Sequence, residues 1–229
     1  MAAWQASGVL LGALTTADVT PVIPAHAIDD ILICVTANRV ITNTCATPAT
    51  WTLLFGPEDI TGWRSYCFWK RATSAAETNP LCDWTATSAD KYAQVHTVRG
   101  AILTGSPFAA SAWTDGTADP GVCTGVTTTF AGQRVITLGM NGDNLNTTAS
   151  VVTSTDPTSY TSRHHTTIAT GADAAGFFLD AVRVSPGATG NVSHDFTGVP
   201  LAWGILVAAI LDPPQIMPIS PTMATRVPS

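Results

Sequence analysis

Residues 63–71 read WRSYCFWKR, and the alternation of their side chains decides the fold class. Every second residue from 63 gives Trp, Ser, Cys and Trp, whereas every second residue from 64 gives Arg, Tyr, Phe and Lys. Successive side chains of a β-strand point to opposite faces of a sheet, so this period of two predicts a strand. Residues 92–99 repeat the pattern, with one face formed by Ala93, Val95 and Thr97 and the other by Gln94, His96 and Val98.

Outward from this stretch, similar segments recur between clusters of Gly, Pro, Asn and Asp. The candidate strands are 9–14, 31–36, 51–55, 63–71, 82–87, 92–101, 122–129, 134–140, 150–153, 163–170, 177–184, 191–197 and 202–210. The runs 31–35 and 201–210 are almost continuously apolar, which is typical of central strands covered on both faces. Residues 172–175 could form a single helical turn, and residues 105–121 are predicted to be a long loop.

The composition excludes other classes of protein. Hydrophobic residues make up 45% of the 229 residues and charged residues only 11%. Thr is the commonest residue, whereas Glu and Lys occur twice each, which argues against a helical bundle or coiled coil. A net charge of -6 argues against nucleic-acid binding through a basic face. The longest apolar run, 201–211, is about half the length that a membrane-spanning helix needs.

The five cysteines are predicted to be free thiols packed in the core. They are odd in number and include no C-x-x-C pair, and most of them lie in apolar, strand-like stretches. The first 14 residues carry no positive charge and form a poor signal peptide. We therefore expect synthesis in a reducing cytoplasm. The cysteines are Cys34, Cys45, Cys67, Cys82 and Cys123.

The histidine-containing motifs do not predict catalysis or metal binding. Ser193, His194 and Asp195 supply the residue types of a catalytic triad, but adjacent side chains on a strand diverge and cannot meet. The adjacent His164 and His165 diverge for the same reason and form a poor metal pair. We expect one of these two rings to be packed and the other solvated. His26 and His96 have no histidine near them in sequence.

The polar stretch that begins at Asn141 is interpreted as a turn. The Asn141-Gly142 step predicts a hairpin with positive φ at Gly142. A calcium loop needs more oxygen ligands than Asp143, Asn144 and Asn146 provide.

The remaining acidic residues also suit turns better than chemistry. Asp115 and Asp119 lie in the predicted loop, Glu58 lies in a Gly-Pro-Glu-Asp turn, and Asp29 and Asp30 lead into a strand. No two of them form an evident pair of carboxylates for glycoside hydrolysis. We predict that the protein is not an enzyme and has no catalytic residue, no cofactor and no metal.

The tryptophans leave one binding function open. Most of them occupy strand positions, so we expect them in the core, but an exposed tryptophan could stack on a sugar. A carbohydrate-binding module is therefore an alternative interpretation. The tryptophans concerned are Trp51, Trp63, Trp69, Trp84, Trp113 and Trp203.

The composition changes after residue 211, where five prolines fall within 18 residues. Because proline lacks a backbone donor, this segment cannot form a helix or a central strand. We predict a sandwich domain over residues 1–211 and an extended Pro-rich assembly arm over 212–229, ordered against neighbouring subunits. The alternative is an arm that folds back over an edge of its own sandwich. The predicted contact residues are Pro213, Pro214, Ile216, Met217, Ile219, Met223 and Val227.

Several short motifs follow one another in a recognisable order. They are VIP at 22–24, DDILI at 29–33, ATWTLL at 49–54, FWKRA at 68–72, DWT at 83–85 and VRGA at 98–101. The second half repeats the style with VITL at 135–138, GATG at 187–190 and WGILV at 203–207. This order resembles that of a group of phage and prophage virion proteins built on one β-sandwich, over about residues 7–211. The chain departs from the pattern at Asp29, where Gly is usual, and at Arg99, where Tyr is usual.

The resemblance implies a structural, non-enzymatic protein of capsids, head fibres or tails. We expect a jelly-roll-like antiparallel β-sandwich that serves as a subunit of a tailed-bacteriophage-type virion and is made in the host cytoplasm. A capsid decoration, cement or head-fibre-base role is preferred over a tail or fibre role, because the chain shows no sequence repeats or heptads. The expected partners are major capsid or tail proteins and further copies of the chain, without nucleic acid or membrane. A host glycan is a further candidate partner.

Overall fold

The computed structural model describes residues 1–13, 18–60, 62–85, 90–142, 151–153, 157, 160–168, 173–196, 198 and 202–213. For residues 60 and 151–153 it describes the backbone alone. Every regular element in this part of the chain is a β-strand, so none of it forms a helix long and apolar enough to cross a membrane.

The first half of the chain forms one antiparallel sheet, which we call sheet 1. Its strands lie in the order β1-β6-β3-β5-β4, and the short strand β2 pairs with β6 beside β1. The strands are β1 (Ala3–Ser7), β2 (Leu11–Ala13), β3 (Ile31–Asn38), β4 (Thr52–Ile60), β5 (Trp63–Arg71) and β6 (Lys91–Arg99).

The second half forms sheet 2 and two small sheets. Its strands are β7 (Phe108–Gly116), β8 (Gly121–Cys123), β9 (Thr127–Thr128), β10 (Arg134–Asn141), β11 (Val151–Thr153), β12 (Thr161–Ile168), β13 (Ala174–Val182), β14 (Gly187–Ala188), β15 (Val192–Asp195) and β16 (Trp203–Ile210). Sheet 2 has the order β12-β13-β10-β16-β7, and the small sheets are β11-β15-β8 and β14-β9.

The two large sheets have the same topology. In sheet 1, β6 lies between β1 and β3, and β4 lies at the far edge. In sheet 2, β16 lies in the same way between β7 and β10, and β12 lies at the far edge. The sheets contact each other through β3 and β10, β4 and β7, and β6 and β13. Of these three contacts, that of β3 with β10 joins strands in equivalent positions of the two sheets. The predicted antiparallel β-sandwich is confirmed, and its two sheets are formed by consecutive halves of the chain.

A single apolar cluster between the sheets holds the sandwich together. Sheet 1 contributes Ile33, Trp63 and Tyr92 among others, and sheet 2 contributes Leu138 and Phe178 among others. The Trp63 and Tyr92 rings stack with centroids 5.6 Å apart. Burial of this apolar area supplies the main driving force for joining the two halves.

The outer faces of both sheets are covered as well. Segments 18–23, 43–51 and 72–85 cover sheet 1 and form a second apolar cluster with its outer face; we call these segments the covering layer. Strands β8 and β15, with Val126 and Phe196, contribute to a third cluster on the outer face of sheet 2. Strands β3 and β16 are therefore buried along their whole length, which confirms their prediction as central strands covered on both faces.

The predicted alternation is also confirmed. In β5, Trp63 and Cys67 pack between the sheets, whereas Tyr66 and Phe68 pack under the covering layer. In β6, Val95 belongs to the outer cluster and Val98 to the inner one.

The prediction of a long loop over 105–121 is wrong, because most of it is strand β7. This strand pairs along its length with β16 at the edge of sheet 2. Its sequence, FAASAWTDG, is rich in small residues of low strand propensity. The pairing with β16, and not local propensity, therefore orders this segment as a strand. Pro107 and Pro120 bound the strand rather than interrupt it, so they do not prevent pairing.

Two other sequence predictions differ from the structure, and two further strands were missed. In the described part of 82–87, Cys82 and Trp84 form single bridges with Val19 and Cys45 instead of a strand. Residues 174 and 175, predicted to lie in a helical turn, begin β13. Strands β1 and β14 were not predicted.

Candidate assembly face

Both ends of the sandwich meet at one end of the molecule. The Ala2 amide donates a hydrogen bond to the Asp212 carboxylate, and the Arg134 guanidinium donates one to the Ala2 carbonyl. The Ile102 amide donates to the Leu211 carbonyl over 2.8 Å, and the Leu211 amide donates to the Pro107 carbonyl over 2.7 Å. The chain that enters β1 and the chain that leaves β16 are thus fixed to each other.

We call this end the exit face, formed by residues 1–2, 27–30, 99–107, 130–134, 182–184 and 211–213. The sheet registers bring these segments together, since β3 and β10 begin here and β5, β6, β13 and β16 end here. Of the thirteen large apolar side chains that are exposed in the described residues, six belong to this face. They are Met1, Ile28, Leu103, Phe130, Val182 and Val184. Exposed apolar groups concentrated in one region are typical of an interaction surface.

A groove of about 510 Å³ opens on the exit face. Ile28 and Leu103, each more than 60% exposed, supply its large apolar side chains, and Pro213 lines it as well. Pro213 is the last described residue and the second residue of the predicted arm. Asp212 is itself buried and hydrogen-bonded to Ala2, which places it in the body of the sandwich.

An ion pair forms the polar wall of the groove. The Arg99 guanidinium donates to both carboxylate oxygens of the buried Asp30, over 2.8 and 2.7 Å. Asp30 also accepts the Ala27 amide over 2.7 Å. The bond to Asp30 raises the pKa of Arg99, whose side chain remains half exposed and can donate to a further acceptor. Asp29, beside this pair, has a φ of 70°, a conformation that glycine adopts without strain.

The Ser193-His194-Asp195 sequence forms no triad in the structure. His194 is buried and packs on Phe177, with ring centroids 5.2 Å apart, whereas Asp195 is exposed. The His194 Nε2 lies 2.9 Å from the hydroxyl of Thr137. Burial lowers the pKa of His194 to about 3, so this ring is a neutral core group.

His164 and His165 are both half-buried, so the prediction of one packed and one solvated ring is wrong. Burial lowers the pKa of each of them. The His164 ring faces His96 across the two sheets, with centroids 6.3 Å apart. The sequence did not reveal this pair because β6 and β12 belong to different halves. His96 is fully buried, and its Nδ1 lies 2.8 Å from the Ser7 hydroxyl.

The Asn141-Gly142 step is not the predicted turn. Asn141 is the last residue of β10, and Gly142 is absent from the residues of positive φ in the described chain. Gly142 instead allows the Trp63 ring to approach, since a Cβ there would lie 2.4 Å from a ring carbon. Asp143, Asn144 and Asn146 lie outside the described residues.

The other acidic candidates have structural positions. Glu58 lies in β4 and not in a turn, because irregular pairing with β5 accommodates Gly56-Pro57 within an edge strand. Asp119 accepts the Phe196 amide over 3.0 Å, and Asp115 belongs to β7. Among the described residues, no group of three or more His, Cys, Asp or Glu side chains is arranged to hold a metal ion.

All seven tryptophans lie in the described part of the chain and none is exposed. Trp51, Trp63, Trp84 and Trp203 are buried, and the other three pack partly buried on the inner cluster. No tryptophan ring therefore lies exposed as a flat platform for a sugar.

Of the seven predicted contact residues of the arm, Pro213 is described, and it lines the groove. Pro214, Ile216, Met217, Ile219, Met223 and Val227 lie outside the described residues. No family model, curated protein sequence or solved structure matches this chain.

Proposed function

We propose that the protein is a non-enzymatic structural subunit of a tailed-bacteriophage-type virion that assembles through the exit face. The observation that carries this proposal is the position of Pro213, the first proline of the Pro-rich segment, in the lining of an apolar groove. The hydrogen bond of Ala2 with Asp212 fixes the residue that precedes Pro213 to the sandwich, so an arm that follows it starts at a defined place. A capsid decoration or cement role remains our preferred location, with a tail or fibre role as the alternative.

The chemistry of the groove suits a segment of a neighbouring subunit. Ile28 and Leu103 can bury apolar side chains of a partner, and each fully buried side chain contributes on the order of 1 kcal/mol or more. The half-exposed Arg99 can donate to a carbonyl group that has no partner in an extended, proline-rich segment. The arm of another copy of the chain offers both apolar side chains and carbonyl groups of this kind. The proposal therefore includes self-association alongside binding to capsid or tail proteins.

The carbohydrate-binding alternative has weaker support, because the tryptophans that would contact a glycan are buried or half-buried. The structural role requires no converging acid, base or ligand set.

The position of the chain in the virion can be tested by immunogold electron microscopy of phage particles whose genome encodes the chain. Gold on the heads supports a decoration role, whereas gold on the tails supports the alternative. Particles that carry no label would contradict a virion role altogether.

Removal of the arm after Pro213 is expected to abolish incorporation into particles while leaving the melting temperature within about 2 °C of the full chain. The cut preserves Asp212 and its bond to Ala2, so the sandwich keeps its tie. Differential scanning fluorimetry and particle sedimentation measure the two effects. A truncated chain that melts clearly lower and still incorporates would assign the arm to intramolecular covering.

Leu103→Asp is expected to weaken the self-association of the chain at least tenfold, because it places a charge in the apolar groove. Ile41→Asp is the matched control, since Ile41 is also an exposed apolar residue but lies beyond β3, at the opposite end of the sandwich. Light scattering across a concentration series compares the two variants. Equal weakening by both would mean that the exit face has no special role.

A further inference from the structure

Three of the five thiols converge under the covering layer. Cys34 projects from the outer face of β3, and Cys45 and Cys82 reach it from the covering layer. Cys67 packs instead between the sheets, and Cys123 belongs to the cluster on sheet 2. All five are free and buried.

The sulfur atoms of Cys34 and Cys82 lie close together. Their Sγ atoms lie 3.9 Å apart, and neither residue has any exposed surface. A disulfide bond measures about 2.05 Å, so the two sulfurs must approach by roughly 2 Å. The covering layer can permit this approach, because single bridges such as those of Val19 with Cys82 and of Cys45 with Trp84 order it rather than a continuous ladder.

The surroundings of the two sulfurs give them different reactivity. Hydrogen bonds from the Cys34 and Cys45 thiols lower the pKa of Cys82. The bond with Cys82 and burial raise the pKa of Cys34. Because both sulfurs are buried, an oxidant reaches them only when the covering layer opens. Cys82 then ionises first, and a thiolate is the form of cysteine that attacks an oxidant.

We propose that Cys34 and Cys82 form an oxidisable pair that a peroxide converts into a disulfide, which fastens the covering layer to sheet 1. The inference is independent of the proposed virion role.

The reaction balances with hydrogen peroxide as the oxidant. The Cys82 thiolate attacks one peroxide oxygen, so an S–O bond forms, the O–O bond breaks, and hydroxide leaves and is protonated to water. The Cys34 sulfur then attacks the sulfur of the Cys82 sulfenic acid. An S–S bond forms, the S–O bond breaks, and the thiol proton leaves with the hydroxyl group as a second water. Two thiols are oxidised, and one peroxide is reduced to two waters.

The crosslink would close a loop between residues that are 48 positions apart. Because it restricts the unfolded chain, it is expected to raise the melting temperature by about 5 °C or more.

The sequence allows the crosslink to be located without ambiguity. Cleavage after Lys and Arg separates the five cysteines into the peptides 1–39, 40–64, 65–70, 72–91 and 100–134. The experiment treats the folded, full-length chain with millimolar hydrogen peroxide at neutral pH, then denatures it in an alkylating reagent without reductant. We expect three alkylated cysteines instead of five, a mass lower by 2 Da before alkylation, and a linked pair of peptides 1–39 and 72–91.

Variants and a thermal measurement complete the test. Cys34→Ala and Cys82→Ala should each abolish the linked peptides, whereas Cys67→Ala and Cys123→Ala should retain them. The gain in melting temperature of the oxidised wild-type chain should disappear in dithiothreitol. Five alkylated cysteines after oxidation, a link between any other pair of peptides, or sulfinic acid at Cys82 without a link would each overturn the proposal. The wild-type peptide map decides the question even if a variant does not fold.

Discussion

Lowering the pH from 7 to 5 is expected to reduce the free energy of unfolding by about 4 kcal/mol, because two histidines are buried in the neutral form. Burial lowers the pKa of His96 and of His194 to about 3 from an ordinary 6.5, and His164 adds to the effect at His96. Below pH 6.5 the unfolded chain therefore binds two protons that the folded chain does not. Each histidine costs up to about 1.4 kcal/mol per pH unit until the pH approaches 3.

Urea unfolding at pH 7, 6 and 5 and constant ionic strength measures this loss. This pH range isolates the histidines from the most strongly shifted acid. Burial opposes the ionisation of Glu77, but hydrogen bonds from Lys70 and Thr73 outweigh it and hold its pKa at about 2. Glu77 therefore loses its contribution only as the pH falls below its ordinary value of 4.5.

Substitution should assign the pH dependence to the two rings. His96→Gln and His194→Gln should each reduce the slope, and the remainder should come from His164 and His165, whose pKa values burial also lowers. A stability that does not vary between pH 7 and 5 would show that the folded chain accepts these protons without cost.

Asp180→Ala is expected to lower the free energy of unfolding by about 3–5 kcal/mol, because it leaves a mostly buried cation without its counterion. Asp180 is almost fully buried in β13, where it accepts from Arg134 over 2.6 Å and from Arg163 over 2.8 Å. The side chain of Arg134 is only 12% exposed and cannot regain full hydration, and it also holds the Ala2 carbonyl. The substitution should therefore loosen the exit face as well.

Asp59→Ala is the matched control for this variant. Asp59 also pairs with an arginine, Arg64, but its side chain is 41% exposed, so its loss is expected to cost at most about 1 kcal/mol. Guanidinium unfolding curves of both variants give the comparison, and equal costs would contradict the role assigned to burial. Hydrogen exchange at the amides of residues 2–6 should rise in Asp180→Ala alone.

The sequence predicted the strands that carry a strong apolar pattern. Strand β5 has the predicted bounds, and β3, β10 and β16 differ from theirs by at most two residues at either end. Alternating side chains indicate β5, and nearly continuous apolar runs indicate β3 and β16. Strand β7 was not predicted because its small side chains carry no such pattern. It is stabilised by pairing with β16 and not by the strand propensity of its residues.

The exit face could be predicted only in part. The proline content marked the segment around Pro213, and Asp29 and Arg99 were already noted as departures from the resembling pattern. Their meeting in one groove depends on the register that places Ile31 beside Val98, a pairing across more than sixty residues. Local pattern does not contain that information, and the same reason hid the contact between His96 and His164.

The equal topology of the two sheets affects how the chain is made. All strands of sheet 1 have been synthesised once residue 99 is added, before β7 exists. The apolar face bearing Trp63 and Tyr92 remains uncovered until β10 and β13 have been made. Synthesis of these roughly 80 residues takes about 4–16 seconds on a ribosome. During that interval the second half of another nascent chain can occupy the same place. We therefore expect slower translation between the two halves to raise the fraction of domain-swapped dimers.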